Sequence, residues 1–147
     1  MGFDAVYQER TQQAMNGGES FSLVHRIRNR IQKIFGIQVF LDKHDFNKCF
    51  KLLVNEEAKK ENVIPSLVAG YDRSPRAGKK AQIFYNFTPE TWRKHVKDVF
   101  SYIKNKDDEH RLVILKSWNE WGESNYLEPD LKYGTSMLDV LKEENDD

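Results

Sequence analysis

Residues 111–130 read RLVILKSWNEWGESNYLEPD, and their reading decides the fold. Leu112, Val113, Ile114 and Leu115 form an apolar run without alternation, which predicts a buried strand. The adjoining stretch is its opposite in composition. Between Lys116 and Asp130 stand the carboxylates of Glu120, Glu123 and Glu128, the indoles of Trp118 and Trp121, and the amide of Asn119. Acids and tryptophans are costly to seat beside a core, so this cluster either performs chemistry or caps the fold.

Working outward, the nearest upstream strand is predicted at Val63–Ala69, with Pro65 marking its start or a bulge. It breaks at Gly70 into a polar loop with Tyr71, Asp72, Arg73 and Arg76. Residues 87–105, FTPETWRKHVKDVFSYIKN, predict a helix with Thr88 as N-cap and Pro89 in the first helical position. Trp92, Val96, Val99, Phe100 and Ile103 form its apolar stripe. TSMLDVLKEEN, residues 135–145, supplies a closing helix.

Towards the N-terminus, GFDAVY (residues 2–7) predicts a strand with no preceding element to pair with. QERTQQAMNGGES (residues 8–20) is polar and carries Gly17-Gly18, so it is read as a loop. Leu23, Ile27, Ile31 and Ile34 then recur at helical spacing, with Arg26, Arg28, Arg30 and Lys33 opposite. That basic face is read as solvated, with a phosphate contact as the alternative. IQVFL (Ile37–Leu41) predicts a short strand after Gly36. Asp42, His44 and Asp45 invite a metal reading, but a second histidine and a chelating spacing are missing, and turn chemistry explains them equally well. Residues 46–62 predict a helix with Phe46, Phe50, Leu53 and Val54 inward and a solvated charged end, Glu56 to Glu61.

Strands alternating with helices imply an α/β fold with parallel pairing through right-handed crossovers. Sites in such folds lie beyond the C-terminal ends of the strands. The 147 residues are read as a single domain, residues 1–147, with 39% hydrophobic and 31% charged residues. Acidic and basic residues balance at 23 each, so no global field draws in nucleic acid or an anionic membrane. The lone Cys49 excludes an internal disulfide framework. No apolar run approaches the ~20 residues of a membrane span, and the first residues lack a signal-peptide pattern, so the expected location is cytoplasmic.

Glu120 and Glu123 lie three residues apart, a spacing that aims both carboxyls into one cavity from a turn. Two such carboxyls perform glycosidic chemistry, one protonating the leaving oxygen and the other acting as base or nucleophile. Trp118 or Trp121 would raise the acid's pKa by desolvation. Indoles also stack on sugar rings, and Asn119 both donates and accepts hydrogen bonds. The structural alternative is an acid beside a helix N-terminus, turn chemistry at Glu128-Pro129, and tryptophans as core lids. Spacing alone leaves both readings open.

The long motif WNEWGESNYLEPDLKYG (residues 118–134), together with AGYDRSPR (residues 69–76), resembles the signature of the WbsX-type polysaccharide-biosynthesis proteins. These are similar to glycoside hydrolase family 99, the retaining endo-α-mannosidases. The resemblance implies catalytic roles for Glu120, as base on the sugar's own 2-hydroxyl, and Glu123, as general acid and then base. It implies a sugar pocket lined by Tyr71, Asp72, Asn119 and Trp121, with Trp118 and Tyr126 as further substrate-binding residues. Arg76 would pair with Asp72 or with an acidic donor group, or serve as a structural ion pair. Departures stand at Gly122, where the family more often has Ala, at Ser124, where it has Gly, and at Arg73, where Asp-Asn is more usual than Asp72-Arg73.

The implied fold is a (β/α)8 TIM-like barrel, which needs at least ~200 residues. The chain matches only its C-terminal portion, an incomplete barrel of three to four β/α units. The implied function is glycosyl transfer in bacterial surface polysaccharide (O-antigen, capsule) biosynthesis, in a truncated fragment. The alternatives are glycan hydrolysis and a non-catalytic carbohydrate-binding remnant. Expected partners are a sugar or glycan and either a separately encoded N-terminal barrel half or a second copy. No nucleic acid, metal or other cofactor is expected, because no phosphate-cradling loop, metal spacing or dinucleotide fingerprint is present.

Overall fold

The computed structural model describes residues 4–17, 27, 30–32, 34–35 and 41–146. The chain is α/β, with its main strands parallel. β1 (Val6–Gln8), β3 (Val63–Leu67) and β5 (Ile114–Leu115) form one sheet in the order β1-β3-β5, and β2 (Asp42–Asp45) pairs in parallel with β4 (Gln82–Tyr85). Between them lie α1 (Thr11–Gly17), α2 (Phe46–Cys49), α3 (Ser74–Ala77) and α4 (Pro89–Ile103). A short antiparallel hairpin, β6 (Asn119–Glu120) and β7 (Asn125–Tyr126), leads to α5 (Ser136–Asp146).

The register decides which face is covered. Leu67 pairs with Leu115, and both lie against the helices, in the cluster built from Trp92, Val96 and Val99 of α4 and Met137 and Val140 of α5. Tyr7 pairs with Ile64 and Ser66 with Ile114, so these four share the opposite face. There Tyr7 and Ile114 are 44% and 41% exposed. β5 is an edge strand of two paired residues, shorter than the run RLVIL predicts. Leu112, ahead of the strand, is exposed, and among the described residues β5 pairs with β3 alone.

Helix α4 is capped as its sequence predicts. Thr88 Oγ1 accepts from the Thr91 amide at 3.3 Å, and Thr91 Oγ1 accepts in return from the Thr88 amide at 2.9 Å. Trp92, Val96, Val99 and Ile103 are buried, and Phe100 packs against them. Trp92 Nε1 donates to the Met137 carbonyl at 3.0 Å, which fixes α5 against α4. Among the described residues, no helix is long and apolar enough to cross a membrane.

Several expectations need correction. The stretch read as a loop, residues 8–20, holds the end of β1 and the helix α1, because Ala14 and Met15 are buried against Phe46, Phe50 and Leu53. The strand predicted at Ile37–Leu41 falls largely outside the described residues (37–40), and Leu41 is not in a strand. The strand instead occupies Asp42–Asp45, because pairing with β4 overrides the polar composition. Within it, His44 Nε2 lies 3.3 Å from Asp42 Oδ1, and Asp45 caps α2 by accepting from the Asn47 amide. The predicted helix over 46–62 is divided into α2 and two 3-10 turns, Phe50–Leu52 and Glu56–Lys59. Asn55, extended at φ −146°, breaks it and caps the second turn through its side chain. Phe46, Phe50, Leu53 and Val54 are nonetheless buried.

Pro65 sits inside β3, with the flank toward β5 pairing only from Ser66 onward. Strand β4 went unannounced in the sequence, in four residues behind Lys79 and Lys80. Ile27, Ile31 and Ile34 are at least half exposed. Leu23, Arg26, Arg28 and Lys33 lie outside the described residues, as do Gly2, Phe3, Gly18 and Gly36.

His95, on α4, is wholly buried, and its Nε2 accepts from the Val68 amide at 3.1 Å. Burial lowers its pKa to about 3. The unfolded chain therefore takes up a proton near the ordinary histidine value that the folded chain refuses. Stability from this residue is complete above the unfolded pKa of about 6.5 and falls as pH drops toward 3, by about 1.4 kcal/mol per pH unit. In urea unfolding at pH 7.0 and pH 5.0, His95→Gln is expected to show a smaller pH-dependent loss than the native chain. Equal losses would mean that His95 is not held neutral.

Candidate active site

Because β1, β3 and β5 are parallel, their C-terminal ends share one edge, and the residues just beyond each end meet there. Lys116, after β5, places Nζ 3.1 Å from Glu9 Oε1 and 2.9 Å from Thr11 Oγ1, both after β1. The same ammonium lies 5.2 Å from the ring centre of Tyr71, after β3. Burial would raise the Glu9 carboxyl. The Thr11 hydroxyl and amide and the Lys116 ammonium outweigh it and hold the acid below the ordinary glutamate value. Glu9, Thr11 and Lys116 were not picked out from the sequence. The available signal was their position immediately past two strand ends.

The acids sit on the hairpin. Between β6 and β7 the chain turns through one 3-10 turn, Trp121–Glu123, and Ser124 closes it in the left-handed region at φ 46°. Glu120 ends β6 just before the turn and Glu123 ends the turn, and both side chains reach to one side, where one guanidinium meets them. Arg76 of α3 meets both: Nη2 lies 3.0 Å from Glu120 Oε1 and Nη1 lies 3.1 Å from Glu123 Oε1. Arg73 Nε adds a contact to Glu123 Oε1 at 3.3 Å. Glu123 is the more buried acid, with 19% of its side chain exposed against 39% for Glu120.

Two backbone features bring the loops together. The Asp72 amide donates to the Glu123 carbonyl at 2.6 Å, stitching the β3 loop to the hairpin. Gly70, at φ 76°, passes so close that a Cβ there would lie 2.8 Å from the Ser124 carbonyl oxygen. At Gly122 a Cβ would stand 3.0 Å from Glu120 Oε1 and 3.3 Å from the Arg76 guanidinium. Ser124 adopts the conformation that Gly favours, so the departure there leaves the loop geometry intact at a cost of about 1 kcal/mol.

Arg76 does not pair with Asp72. The Asp72 carboxylate accepts from the Ser74 amide at 2.7 Å, a local turn bond, and the guanidinium is taken by the two glutamates. Trp121 stacks on Tyr126 with ring centres 3.7 Å apart and 17° between planes, and its Nε1 donates to Glu128 Oε2 at 2.6 Å. The outer face of the indole remains in solvent, and Trp118 is equally exposed at 48%. Asn119 is exposed on β6. Tyr126 donates to Asp130 Oδ2 at 2.9 Å, and burial together with that bond pushes its pKa up to about 12. Burial, and then the charge of Glu123, raises the Tyr71 phenol as well.

A cavity of about 250 Å³ opens beside the hairpin, with Tyr71, Asp72, Ser124 and Tyr126 in its wall. Glu120 and Glu123 do not line it; they lie on the Arg76 side of the same loop. The structure thus brings the two acids together, and it brings Tyr71, Asp72 and Tyr126 together. Trp118, Asn119 and Trp121 are left on the outer surface of the hairpin.

Over residues 1–141 the chain matches the family model described as Glycosyltransferase WbsX. It is similar to two proteins of Xanthomonas campestris pv. campestris, each named Uncharacterized protein WxcX. With that of strain B100 it is 27% identical over 103 residues, covering 69% of this chain and 15% of that protein. With that of strain ATCC 33913 it is 32% identical over 80 residues, covering 54% of this chain and 12% of that protein. The matched stretch is thus a small part of these relatives' length. No solved structure matches.

Two glycines with positive φ allow the loop contact to be weighed. At Gly134, φ 55°, a Cβ would meet nothing within 4 Å. Gly134→Ala should cost about 1 kcal/mol, the left-handed penalty alone. Gly70→Ala adds a collision with backbone and should cost about 2 kcal/mol or more. Urea denaturation of both variants measures the difference; equal losses would mean that the loops do not press on one another at Gly70.

Proposed function

The chain belongs to the WbsX glycosyltransferase family, and on that premise we propose that it carries the carboxylate pair of a sugar-transferring enzyme for bacterial surface polysaccharide, O-antigen or capsule, working in the cytoplasm. Glu120 takes the proton of the sugar's 2-hydroxyl as that oxygen displaces the leaving group, and an anhydro-sugar forms. Glu123, which takes up a proton from solvent once the sugar has displaced Arg76, gives it to the leaving oxygen. In the second half Glu123 takes the proton of the acceptor hydroxyl, which opens the anhydro ring, and Glu120 returns its proton to O2. One observation carries this reading: a single guanidinium, that of Arg76, spans both carboxylates, so the two lie within reach of one sugar ring.

In this reading Arg76 holds the pair in register until substrate arrives. Its two N–H groups occupy carboxylate oxygens that the 2-hydroxyl and the leaving oxygen need, so a sugar displaces it toward an anionic leaving group. Trp118 and Trp121 offer their exposed indole faces to neighbouring rings. The three parallel strands would be an arc of a (β/α)8 barrel, in support of which the face with Tyr7, Ile64 and Ile114 lies opposite the helices, as a barrel interior does. Closing it takes further β/α units beside those of residues 4–146. Hydrolysis is the second reading, since a retaining carboxylate pair can pass the sugar to water as well as to another hydroxyl.

The test is mass-spectrometric turnover of α-mannosides and nucleotide-sugar donors. Glu120→Gln and Glu123→Gln should each lower turnover by about 10²–10⁴-fold, the range of general acid–base catalysis. Identical traces from the native chain and both variants would overturn the enzymatic reading. Release of free sugar with no transferred product would favour hydrolysis.

A further inference from the structure

The 250 Å³ cavity lies across the hairpin from Arg76, and the chemistry of its wall differs from that of the acid pair. Aromatic rings supply its sides, among them Phe84, Phe87, Tyr126 and Tyr133. Its charged groups are Asp72, Glu128, Asp130 and Lys132, three carboxylates against one ammonium. Asp130 is spent internally: Oδ1 accepts the Lys132 and Tyr133 amides and Oδ2 the Tyr126 hydroxyl. Asp72 uses Oδ1 on Ser74, and Glu128 uses Oε2 on Trp121. Each therefore keeps a second carboxylate oxygen that has no hydrogen-bond partner among the described residues. Lys132 lies with Nζ 4.6 Å from the centre of the Tyr133 ring, part of the wall itself.

A shallow trough lined by Trp121, Pro129 and Leu131 adjoins the cavity and shares Tyr126, Asp130 and Lys132 with it. The exposed indole is thus continuous with the enclosed space. Flat apolar walls with carboxylate acceptors suit a ring that has apolar C–H faces and several O–H donors. The surplus of two negative charges repels phosphate and carboxylate and tolerates an ammonium. The guanidiniums of Arg73 and Arg76 stand on the other side of the hairpin, paired with Glu120 and Glu123.

We propose that this cavity is a second saccharide subsite, one that takes an uncharged or amino-bearing sugar ring and rejects uronic acids and sugar phosphates. It rests on the carbohydrate reading above and deepens it: the substrate is more than one ring long. The anionic end of a donor lies toward Arg73 and Arg76, and the neutral ring lies beyond Trp121.

Ligand-detected NMR titration of the purified chain tests it, with methyl α-mannopyranoside, methyl 2-amino-2-deoxyglucopyranoside, methyl glucuronide and mannose 1-phosphate as probes. The neutral and amino glycosides should bind at least tenfold more tightly than the two anions. Glu128→Gln keeps an acceptor for Trp121 and removes one charge, so it should narrow that ratio several-fold. Tyr133→Ala should weaken the neutral glycoside about tenfold, and Tyr133→Phe should restore it. Anions binding as well as neutral sugars, a ratio unmoved by Glu128→Gln, or no glycoside binding at all would each overturn the proposal. Glu120→Gln and Glu123→Gln separate the two readings, since they should lower turnover by about 10²–10⁴-fold and leave the preference for neutral over anionic glycosides in place. Binding with this charge preference but no turnover would sink the catalytic reading alone; turnover without the preference would sink the subsite alone.

Discussion

One guanidinium stands between two carboxylates, and three segments depend on where it stands. Arg76 comes from the loop after β3, and Glu120 and Glu123 come from the hairpin after β5. Unlinked, the two acids, which reach to one side of the hairpin turn, would repel each other. The ion pairs are half exposed, so their value lies in position more than in stability. Firmness comes from neutral contacts beneath them: the Asp72 amide on the Glu123 carbonyl, and the passage of Gly70 against Ser124. The charged groups are aimed by a backbone junction that does not itself carry charge.

The same edge of the sheet holds a second, differently balanced group. Glu9, Thr11 and Lys116 link the ends of β1 and β5, with Tyr71 from the β3 loop against the ammonium. Parallel pairing is the common cause, because it alone delivers every strand's C-terminal residue to one side. Helices α4 and α5, packed through Trp92 and the buried His95, keep the sheet from shifting beneath these loops. One flank of the hairpin is charge-balanced, two guanidiniums against two glutamates, and the other carries three carboxylates against one ammonium.

The elements with strong local signals were legible in the sequence. Thr88 and Pro89 announce α4, and the 3.6-residue spacing of Trp92, Val96 and Val99 announces its buried face. Glu120 and Glu123 stand out by spacing and company. The short strands were not legible. Asp42–Asp45 has the composition of a turn, and it is a strand because Gln82–Tyr85 lies beside it. Neither partner is visible without the other. The run RLVIL looks like a central strand, yet paired on one side it is an edge, and sequence does not say how many neighbours a strand has. Arg76 was singled out as a cation in the right loop, but which acid it would meet depended on a hairpin turn.

Gly122 sets the spacing of this junction. A methyl there would stand 3.0 Å from Glu120 Oε1 and 3.3 Å from the guanidinium, so both side chains would have to give by a few tenths of an ångström. A side chain of one carbon would act as a wedge, tilting the arginine outward and loosening its hold on the less buried acid. A position with no side chain of its own thereby governs how firmly two acids and an arginine are held in register.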